Sequence, residues 1–313
     1  METVLKAEDL SKSFGDTKAV EGVNLEVFGG EVFGLIGPDG AGKTTTLRML
    51  CGLVRPDSGK VSILNYTLPY QKREAHAAMG YMPQQYSLYG DLSVQENLRF
   101  FAGMNGVPRS VMLERESRLL AIARLDRFRD RPARALSGGM YKKLALACAL
   151  IHQPKLLLLD EPTNGVDPIS RRELWAFLYE LVDEGVAVVV STPYMDEAER
   201  CQRVGLLLDG RIVAMESPKK MVEDFHETIF EIETEPILES FEGLEGRKGV
   251  LQIYLVGRKI HILSDLGEAF GMELKSAIEA NGVQVRSMEV VKPSFEDIFL
   301  HLTESRTKQE VAA

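Results

Sequence analysis

One octapeptide constrains the fold of this chain more than any other segment. Residues 37–44 read Gly-Pro-Asp-Gly-Ala-Gly-Lys-Thr, a full match to the pattern Gly-x-x-x-x-Gly-Lys-Thr. Residues 31–36, which are apolar after Glu31, predict a short buried strand before it, and residues 44–50 predict a helix after it. In that arrangement the glycines let backbone N–H groups surround an anion at the positive end of the helix dipole. The segment, called the P-loop below, predicts a phosphate site in an α/β fold.

The side chains of the P-loop have separate expected roles. Lys43 is expected to reach the outer phosphates of a nucleotide, and the Thr44 hydroxyl to bind Mg²⁺. Asp39 adds a negative charge near the phosphates, which opposes binding unless its side chain faces away. The predicted nucleotide-binding residues in this segment are Gly37, Pro38, Asp39, Gly40, Ala41, Gly42, Lys43, Thr44 and Thr45.

Two adjacent carboxylates follow a second apolar run. Residues 156–159 are four leucines, which predict a central strand buried on both faces, and Asp160 and Glu161 come directly after them. The end of such a strand is where α/β proteins bind ligands. Asp160 is predicted to hold a Mg²⁺-bound water, and Glu161 to orient or deprotonate the attacking water. The alternative is that Asp-Glu-Pro merely ends a strand and begins a loop.

A second anion site is predicted at residues 136–140, Leu-Ser-Gly-Gly-Met, called the signature tract below. Ser137, Gly138 and Gly139 precede an apolar helical stretch that continues to Leu150, so their amides lie at a helix N-terminus. The alternative is an ordinary serine N-cap followed by two flexible glycines.

With these three elements in this order, the chain resembles an ATP-binding cassette (ABC) ATPase from about residue 5 to residue 215. The resemblance implies ATP and Mg²⁺ as cofactors, and an α/β P-loop NTPase cassette domain with a central, mostly parallel sheet and a helical subdomain. In that family, the signature tract of one subunit closes over ATP held by the P-loop of another. A head-to-tail dimer is therefore implied, formed by two copies or with a second ATPase subunit.

Further positions match the family one at a time. Phe14 falls where an aromatic ring stacks on adenine, although it could instead be a core residue at a strand end. Gln84 falls at the glutamine that senses Mg²⁺, with Gln85 leaving an ambiguity of one residue. The implied metal-binding set is Thr44, Gln84 and Asp160. Asp167 matches the key carboxylate of the loop that crosses the dimer interface.

The chain departs from the family at the position of a histidine that contacts the γ-phosphate, because Pro193 stands there. Proline offers no side-chain donor and no backbone N–H. Loss of one charge-assisted hydrogen bond costs roughly 1.5–3 kcal/mol, or a roughly ten- to hundredfold slower rate. We therefore expect slower hydrolysis rather than none, since Glu161 and Lys43 remain. Met140 also replaces the usual glutamine of the signature tract.

The combination of Leu-Ser-Gly-Gly-Met with Ser191-Thr-Pro-Tyr-Met-Asp-Glu-Ala-Glu-Arg-Cys201 resembles the first half of bacterial tandem ATPases of the multidrug-export type. In those proteins a second cassette follows on the same chain. We therefore expect this chain to pair with a separately encoded ATPase whose histidine is intact. A homodimer is the alternative.

The 313 residues leave room for two domains, an ABC domain at 1–220, with its helical subdomain at about 86–150, and an α+β domain at 221–313. Strands are predicted at 228–233, 249–256, 259–263 and 283–290, with helices at 266–280 and from 293 onward. This second part resembles the small accessory domain of drug-resistance exporter ATPases, with a role in dimerisation or regulation. Its histidines, His226, His261 and His301, are predicted to be surface or packing residues rather than metal ligands.

The resemblance implies an ATP-hydrolysing cytoplasmic subunit that powers the separately encoded membrane permease of an exporter. No apolar run approaches the ~18 residues needed to span a bilayer, so we expect the chain to be peripheral at the inner face of the membrane through that permease. Tyr86 and Tyr89 are candidate permease contacts, or pack locally. One alternative is a largely non-hydrolytic, ATP-gated regulatory half. Another is a soluble ATPase acting on nucleic acid or ribosomes, which the net charge of -9 disfavours.

Overall fold

The computed structural model describes residues 2–85, 88–235, 244, 246–280 and 282–312. The chain divides into two compact units, Met1–Ser217 and Pro218–Ala313. Each unit has its own sheet and its own buried apolar core.

A six-stranded sheet forms the centre of the first unit, and its strand order is β10-β9-β3-β8-β7-β6. All neighbours pair in parallel except β10, which is antiparallel to β9. Every residue of β3, β7 and β8 is buried, which explains why these segments are continuously apolar in the sequence. The strands are β3 (Val32–Ile36), β6 (Met79–Met82), β7 (Leu156–Asp160), β8 (Ala187–Thr192), β9 (Arg203–Leu208) and β10 (Arg211–Glu216).

A second, antiparallel sheet of the same unit has the order β2-β1-β4-β5. Its apolar face shares one core with the central sheet, in which Leu5 and Val61 of the antiparallel sheet join Phe33 and Leu158 of the central one. The strands are β1 (Thr3–Phe14), β2 (Thr17–Phe28), β4 (Ser58–Ile63) and β5 (Tyr66–Leu68).

Seven helices of the first unit are described, and three of them form a helical lobe between β6 and β7, as the sequence predicts. Ser93 and Glu96 form a capping box at the start of the lobe's first helix. The lobe consists of α3 (Val94–Met104), α4 (Arg109–Ile122) and α5 (Gly138–Leu150). The other helices are α1 (Lys43–Leu50), α2 (Lys72–Ala78), α6 (Pro168–Asp183) and α7 (Met195–Ala198).

The second unit is an α+β domain with one antiparallel sheet of order β12-β13-β11-β14. Together with the central sheet of the first unit, it confirms the predicted fold class. The helix predicted from residue 266 starts only at Gly271, because Gly267 has a φ of 72° and a short 3₁₀ turn follows it. The elements are α8 (Pro218–Glu223), β11 (Thr228–Glu235), β12 (Gln252–Val256), β13 (Lys259–Ser264), α9 (Gly271–Ala280), β14 (Gln284–Val291) and α10 (Phe295–Ala312).

A buried histidine holds part of the second unit together. His261 on β13 lies with Nε2 3.2 Å from Oε2 of Glu231 and Nδ1 3.4 Å from Oδ1 of Asp297. The hydroxyl of Tyr254 donates to the same oxygen of Asp297. His261 thus packs between the sheet and the first turn of α10, whereas His226 is exposed and His301 contacts the ring of Phe225.

Cys51, Cys148 and Cys201 are buried free thiols, and burial raises the pKa of Cys51 to about 11. Within the described residues, no helix combines the length and apolarity that a bilayer span requires.

Replacing Leu158 by alanine should lower the free energy of unfolding of the first unit by about 2–5 kcal/mol, because it leaves a cavity in the centre of the sheet. Leu158 is fully buried between β6 and β8. Denaturant unfolding can be followed by the fluorescence of Trp175, the single tryptophan of the chain, which is buried in the same unit. The matched control is Leu113→Ala, at a leucine that is 57% exposed, which should change stability by less than about 0.5 kcal/mol. Equal losses in both variants would contradict the prediction.

Candidate nucleotide-binding site

The P-loop connects β3 to α1 at the carboxyl end of the central sheet. Gly42 is the N-cap of α1 and has a φ of 101°, a conformation that favours glycine. A Cβ atom at this position would also overlap the carbonyl oxygen of Ala19 on β2. The structure therefore gives a steric reason for Gly42, the second glycine of the P-loop pattern. The first turn of α1 stays open to an anion.

Lys43 lies buried at the start of α1, where its ammonium group donates to the carbonyl oxygens of Gly37 at 2.8 Å and Pro38 at 2.9 Å. Burial lowers the pKa of Lys43, while the charges of Glu161, Asp39 and Asp160 oppose that shift. The cation is thus enclosed by its own loop and has only neutral acceptors in direct contact. A phosphate oxygen would give it a charged partner.

Asp160 ends β7 as a fully buried carboxylate. Its Oδ1 accepts hydrogen bonds from Thr44 at 3.1 Å and from Ser191 at 2.7 Å, whereas Oδ2 has no hydrogen-bond partner among the described residues. Burial raises the pKa of Asp160, and the two hydroxyl donors counteract it. The unpaired oxygen beside the Thr44 hydroxyl is the donor chemistry that Mg²⁺ takes from proteins, one or two oxygen ligands with phosphate and water completing the shell.

Glu161 has a left-handed backbone conformation, with a φ of 46°, which is strained for a residue with a side chain. Its amide donates to Ser191, at 3.1 Å to Oγ and 3.2 Å to the carbonyl oxygen. Its carboxylate Oε2 accepts from the side-chain amides of Gln84 at 2.6 Å and Asn164 at 3.0 Å. The backbone and both side-chain amides therefore hold Glu161 next to the predicted metal ligands, as a reacting carboxylate requires.

The signature tract lies at the start of α5, where the Ser137 hydroxyl accepts from the amide of Met140 at 3.4 Å. The contacts of the tract are with the start of α6. A Cβ atom on Gly139 would overlap the side chain of Ser170, and Asp167 caps α6 by accepting from Ile169 and Ser170 at 3.1 and 3.0 Å. The structure thus places Ser137 to Gly139 beside Asp167, two segments that the sequence predicts at a dimer interface.

Phe14 is 53% exposed at the end of β1, with the ammonium group of Lys12 5.5 Å from its ring centroid. An exposed ring is not a core residue, so the structure disfavours the packing alternative for Phe14. Its stacking on adenine stays a prediction.

Pro193 follows β8 in a loop that is held by buried polar side chains. Thr192 Oγ1 donates to Glu197 at 2.8 Å and accepts from the amide of Tyr194 at 3.1 Å. Nε of Arg171 on α6 lies 3.5 Å from Oε1 of Glu197, and the guanidinium carbon of Arg171 lies 4.8 Å from the ring centroid of Tyr194. These contacts hold the residues on both sides of Pro193.

Of the two tyrosines considered as permease contacts, Tyr86 lies outside the described residues. Tyr89 is 51% exposed and makes an edge contact with the ring of Phe100 at 4.5 Å. Its aromatic partners support the packing alternative for part of its ring.

Three residues of the site were not recognised from the sequence, namely Ser191, Asn164 and Lys142. Ser191 contacts both carboxylate residues, and its pairing with Asp160 in the sheet register is the feature that could have identified it. Asn164 donates to Glu161, and Lys142 donates to the carbonyl oxygen of Gln84 at 2.7 Å. The contacts of Ser191 and Lys142 join distant segments, which sequence spacing does not reveal. Asn164 is only three residues from Glu161, and the local turn of the backbone brings it into contact.

Replacing Asp160 by asparagine should stabilise the nucleotide-free chain at about pH 8 by about 1–3 kcal/mol, since a buried charge with an unpaired oxygen becomes a neutral amide. The raised pKa of Asp160 means that folding disfavours its ionised form. Parent stability is therefore lost as the pH rises through that pKa, and the advantage of the variant should shrink toward about pH 5. Denaturant unfolding at both pH values tests this. An advantage that grows on acidification would contradict it.

Comparison with known proteins agrees with this geometry. The sequence model of the ABC transporter family matches residues 20–164. YbhF of Escherichia coli strain K12, a probable multidrug ABC transporter ATP-binding protein, is 46% identical over 217 residues, which are 69% of this chain and only 38% of YbhF. The linearmycin resistance ATP-binding protein LnrL of Bacillus subtilis strain 168 is 32% identical over 306 residues, 96% of this chain and 98% of LnrL. The solved dimeric, post-hydrolysis structure of the ATP-binding cassette MJ0796 with ADP and Pi is 27% identical, has a TM-score of 0.62, and covers 68% of this chain and 98% of that one. This chain belongs to the ABC transporter family, as one of its ATP-binding proteins.

Proposed function

We propose that this chain binds and hydrolyses ATP as the cytoplasmic subunit of an exporter whose membrane permease is a separate chain. The observation that carries the proposal is the cluster at the end of β7, where Thr44 of the P-loop bonds to Asp160 at 3.1 Å and Glu161 follows. This cluster places the predicted ligands of the phosphates and of Mg²⁺ beside the carboxylate that is predicted to activate water. The names of YbhF, a probable multidrug transporter protein, and LnrL, a linearmycin resistance protein, favour export. In this proposal the permease, and not this chain, contacts the transported substrate.

In this proposal the chain's own groups perform each step. The amides of residues 37–44 and the Lys43 ammonium bind the phosphates, and the ring of Phe14 supports the base. Thr44, Asp160 and Gln84 would hold Mg²⁺, which when bound offsets the negative charge of the phosphates. Glu161 orients and deprotonates the attacking water, and its hydrogen bonds to Gln84 and Asn164 fix the direction of its carboxylate.

A second candidate function follows from Pro193, which lacks a donor for the γ-phosphate. If that contact contributes mainly to the transition state, hydrolysis becomes slow, and ATP acts chiefly to join this chain to a catalytic partner. The hydrogen bonds of Thr192 with Glu197 and with the amide of Tyr194 hold the loop around Pro193, which favours this alternative. The retained Glu161 favours hydrolysis.

Steady-state phosphate release by the purified chain with Mg-ATP separates the two functions. We expect the parent to exceed the Glu161→Gln variant by at least about a hundredfold, because the base is lost while the phosphate contacts remain. Pro193→His should raise the parent rate about ten- to hundredfold, the equivalent of one charge-assisted hydrogen bond.

The control is nucleotide affinity, measured with a fluorescent ATP analogue, which should agree within about threefold among the three proteins. Parent turnover equal to that of Glu161→Gln, together with clear turnover of Pro193→His, would assign the regulatory function. Equal and clearly measurable turnover in all three proteins would contradict both functions, because neither Glu161 nor Pro193 would then control hydrolysis.

We further propose that Ser137 to Gly139 and Asp167 form a face that meets the P-loop of a second cassette. Their adjacency within one chain supports this, since both segments then reach the same partner. The dimeric structure of the similar cassette MJ0796 is also consistent with it. Because Pro193 weakens this chain's own site, we propose a partner with an intact histidine as the preferred second subunit.

The dimer can be tested in the Glu161→Gln background, in which ATP persists. We expect this variant to elute as a dimer with ATP in gel filtration, and the added change Ser137→Arg to weaken dimerisation at least about tenfold by blocking the phosphate contact. ATP binding by the monomer should persist, which controls for misfolding. An undiminished dimer of the double variant would contradict the proposed face. Purification from cells that express the whole operon should yield a second ATPase, and recovery of homodimers alone would contradict the preferred partner.

A further inference from the structure

Lys142 connects the signature helix to the site of the two carboxylates. It lies on α5, partly buried, and its ammonium group is 2.7 Å from the carbonyl oxygen of Gln84 and 3.5 Å from that of Glu161. The two acceptors belong to the segment after β6 and the segment after β7. One side chain of α5 thus joins two loops that are 77 residues apart in the sequence.

These contacts close a ring of three residues. Gln84 donates from its side-chain amide to the carboxylate of Glu161 at 2.6 Å, and Lys142 donates to the backbone carbonyls of both. Lys142 therefore fixes the backbone of Gln84, and the side-chain amide of the same residue orients the Glu161 carboxylate. Loss of the Lys142 contact would release the Gln84 carbonyl. Through the backbone of Gln84, it would also disturb the hydrogen bond between the Gln84 side chain and Glu161.

The same ammonium group supports the strained backbone of Glu161. With a φ of 46°, that residue needs contacts that define its conformation. Its amide is bound by Ser191, and its carbonyl oxygen accepts from the amide of Asn164 at 3.2 Å as well as from Lys142. Lys142 is the only contributor to this set that comes from α5.

The charge of Lys142 is costly for stability alone. Its direct acceptors are carbonyl oxygens, unlike those of the neighbouring Lys143, whose ammonium pairs with the carboxylate of Glu173 at 2.8 Å. A methionine would fill the same space without desolvating a charge. The cost of the lysine indicates a role beyond packing.

We propose that Lys142 is a positioning residue for hydrolysis, which couples the start of α5 to the placement of Gln84 and Glu161; the inference rests on the proposed function. Ser137 at the N-cap and Lys142 are five positions apart, about 7.5 Å along the helix axis. A rigid displacement of α5, when its N-terminus engages the partner's nucleotide, would therefore move the ammonium group together with both carbonyls. The readiness of one site would depend on the occupancy of the other.

The first test compares Lys142→Met, Lys142→Arg and the control Lys155→Met, at an exposed lysine on the loop before β7. Lys142→Met should lower kcat for ATP about tenfold and change KM less than about twofold, because the phosphate contacts are untouched. Lys142→Arg keeps the charge and donors, so it should recover at least about half of the parent kcat. The control should match the parent. A Lys142→Met variant with parent kcat, or with equal proportional losses in kcat and in ATP affinity, would overturn the inference.

The second test does not depend on turnover. Amide hydrogen exchange of the full nucleotide-free chain should be faster in Lys142→Met than in the parent for peptides that contain Gln84 and Glu161, and unchanged in Lys155→Met. Unchanged exchange in both peptides would overturn the inference even if the chain hydrolyses ATP. If the parent chain has no turnover but exchange is faster in Lys142→Met, the result would support the contacts made by Lys142 and contradict the hydrolytic function. The failure of the inference and the failure of the proposed function are therefore distinguishable.

Discussion

The parallel pairing of β3, β8 and β7 determines the geometry of the whole site. Ile36 pairs with Thr192 and Asp160 with Ser191, so all three strands end at the same edge of the sheet. The P-loop, the two carboxylates and the loop of Pro193 begin there for that reason alone. Because all three strands are buried on both faces, none can shift its register without moving apolar side chains and breaking ladder hydrogen bonds. The chemistry of the site inherits this rigidity.

Around that edge the chain keeps several charges away from water. Lys43 and Asp160 are buried with neutral hydrogen-bond partners, and Lys142 is partly buried between two carbonyls. Each of these groups has a pKa shifted toward its neutral form by burial. Such an arrangement costs folding free energy but requires little rearrangement to receive phosphate and a divalent cation. The site is preorganised at the expense of stability.

Much of this could be predicted from the sequence, since its strongest patterns are local. The P-loop spacing and the four leucines before Asp160 each depend on residues close together in the chain. The contacts of Ser191 and Lys142 with Glu161 were not predictable in this way, because they depend on which strands are neighbours and on helix orientation. The contact of Asn164 is local, but it depends on the backbone turn at residues 161–164, which the residue pattern did not specify. The late start of α9 had a local cause, the left-handed Gly267, which apolar periodicity does not report.

Gly139 illustrates how a position can be constrained for two independent reasons. Its missing side chain leaves room for Ser170 at the start of α6, apart from any anion at the helix N-terminus. In a descendant that lost hydrolysis altogether, substitutions at Glu161 would be tolerated while Gly139 would still be retained by packing. An intact signature tract in a relative is thus poor proof of an active ATPase. Inactive relatives are better recognised from a substitution at the position of Glu161, the proposed general base.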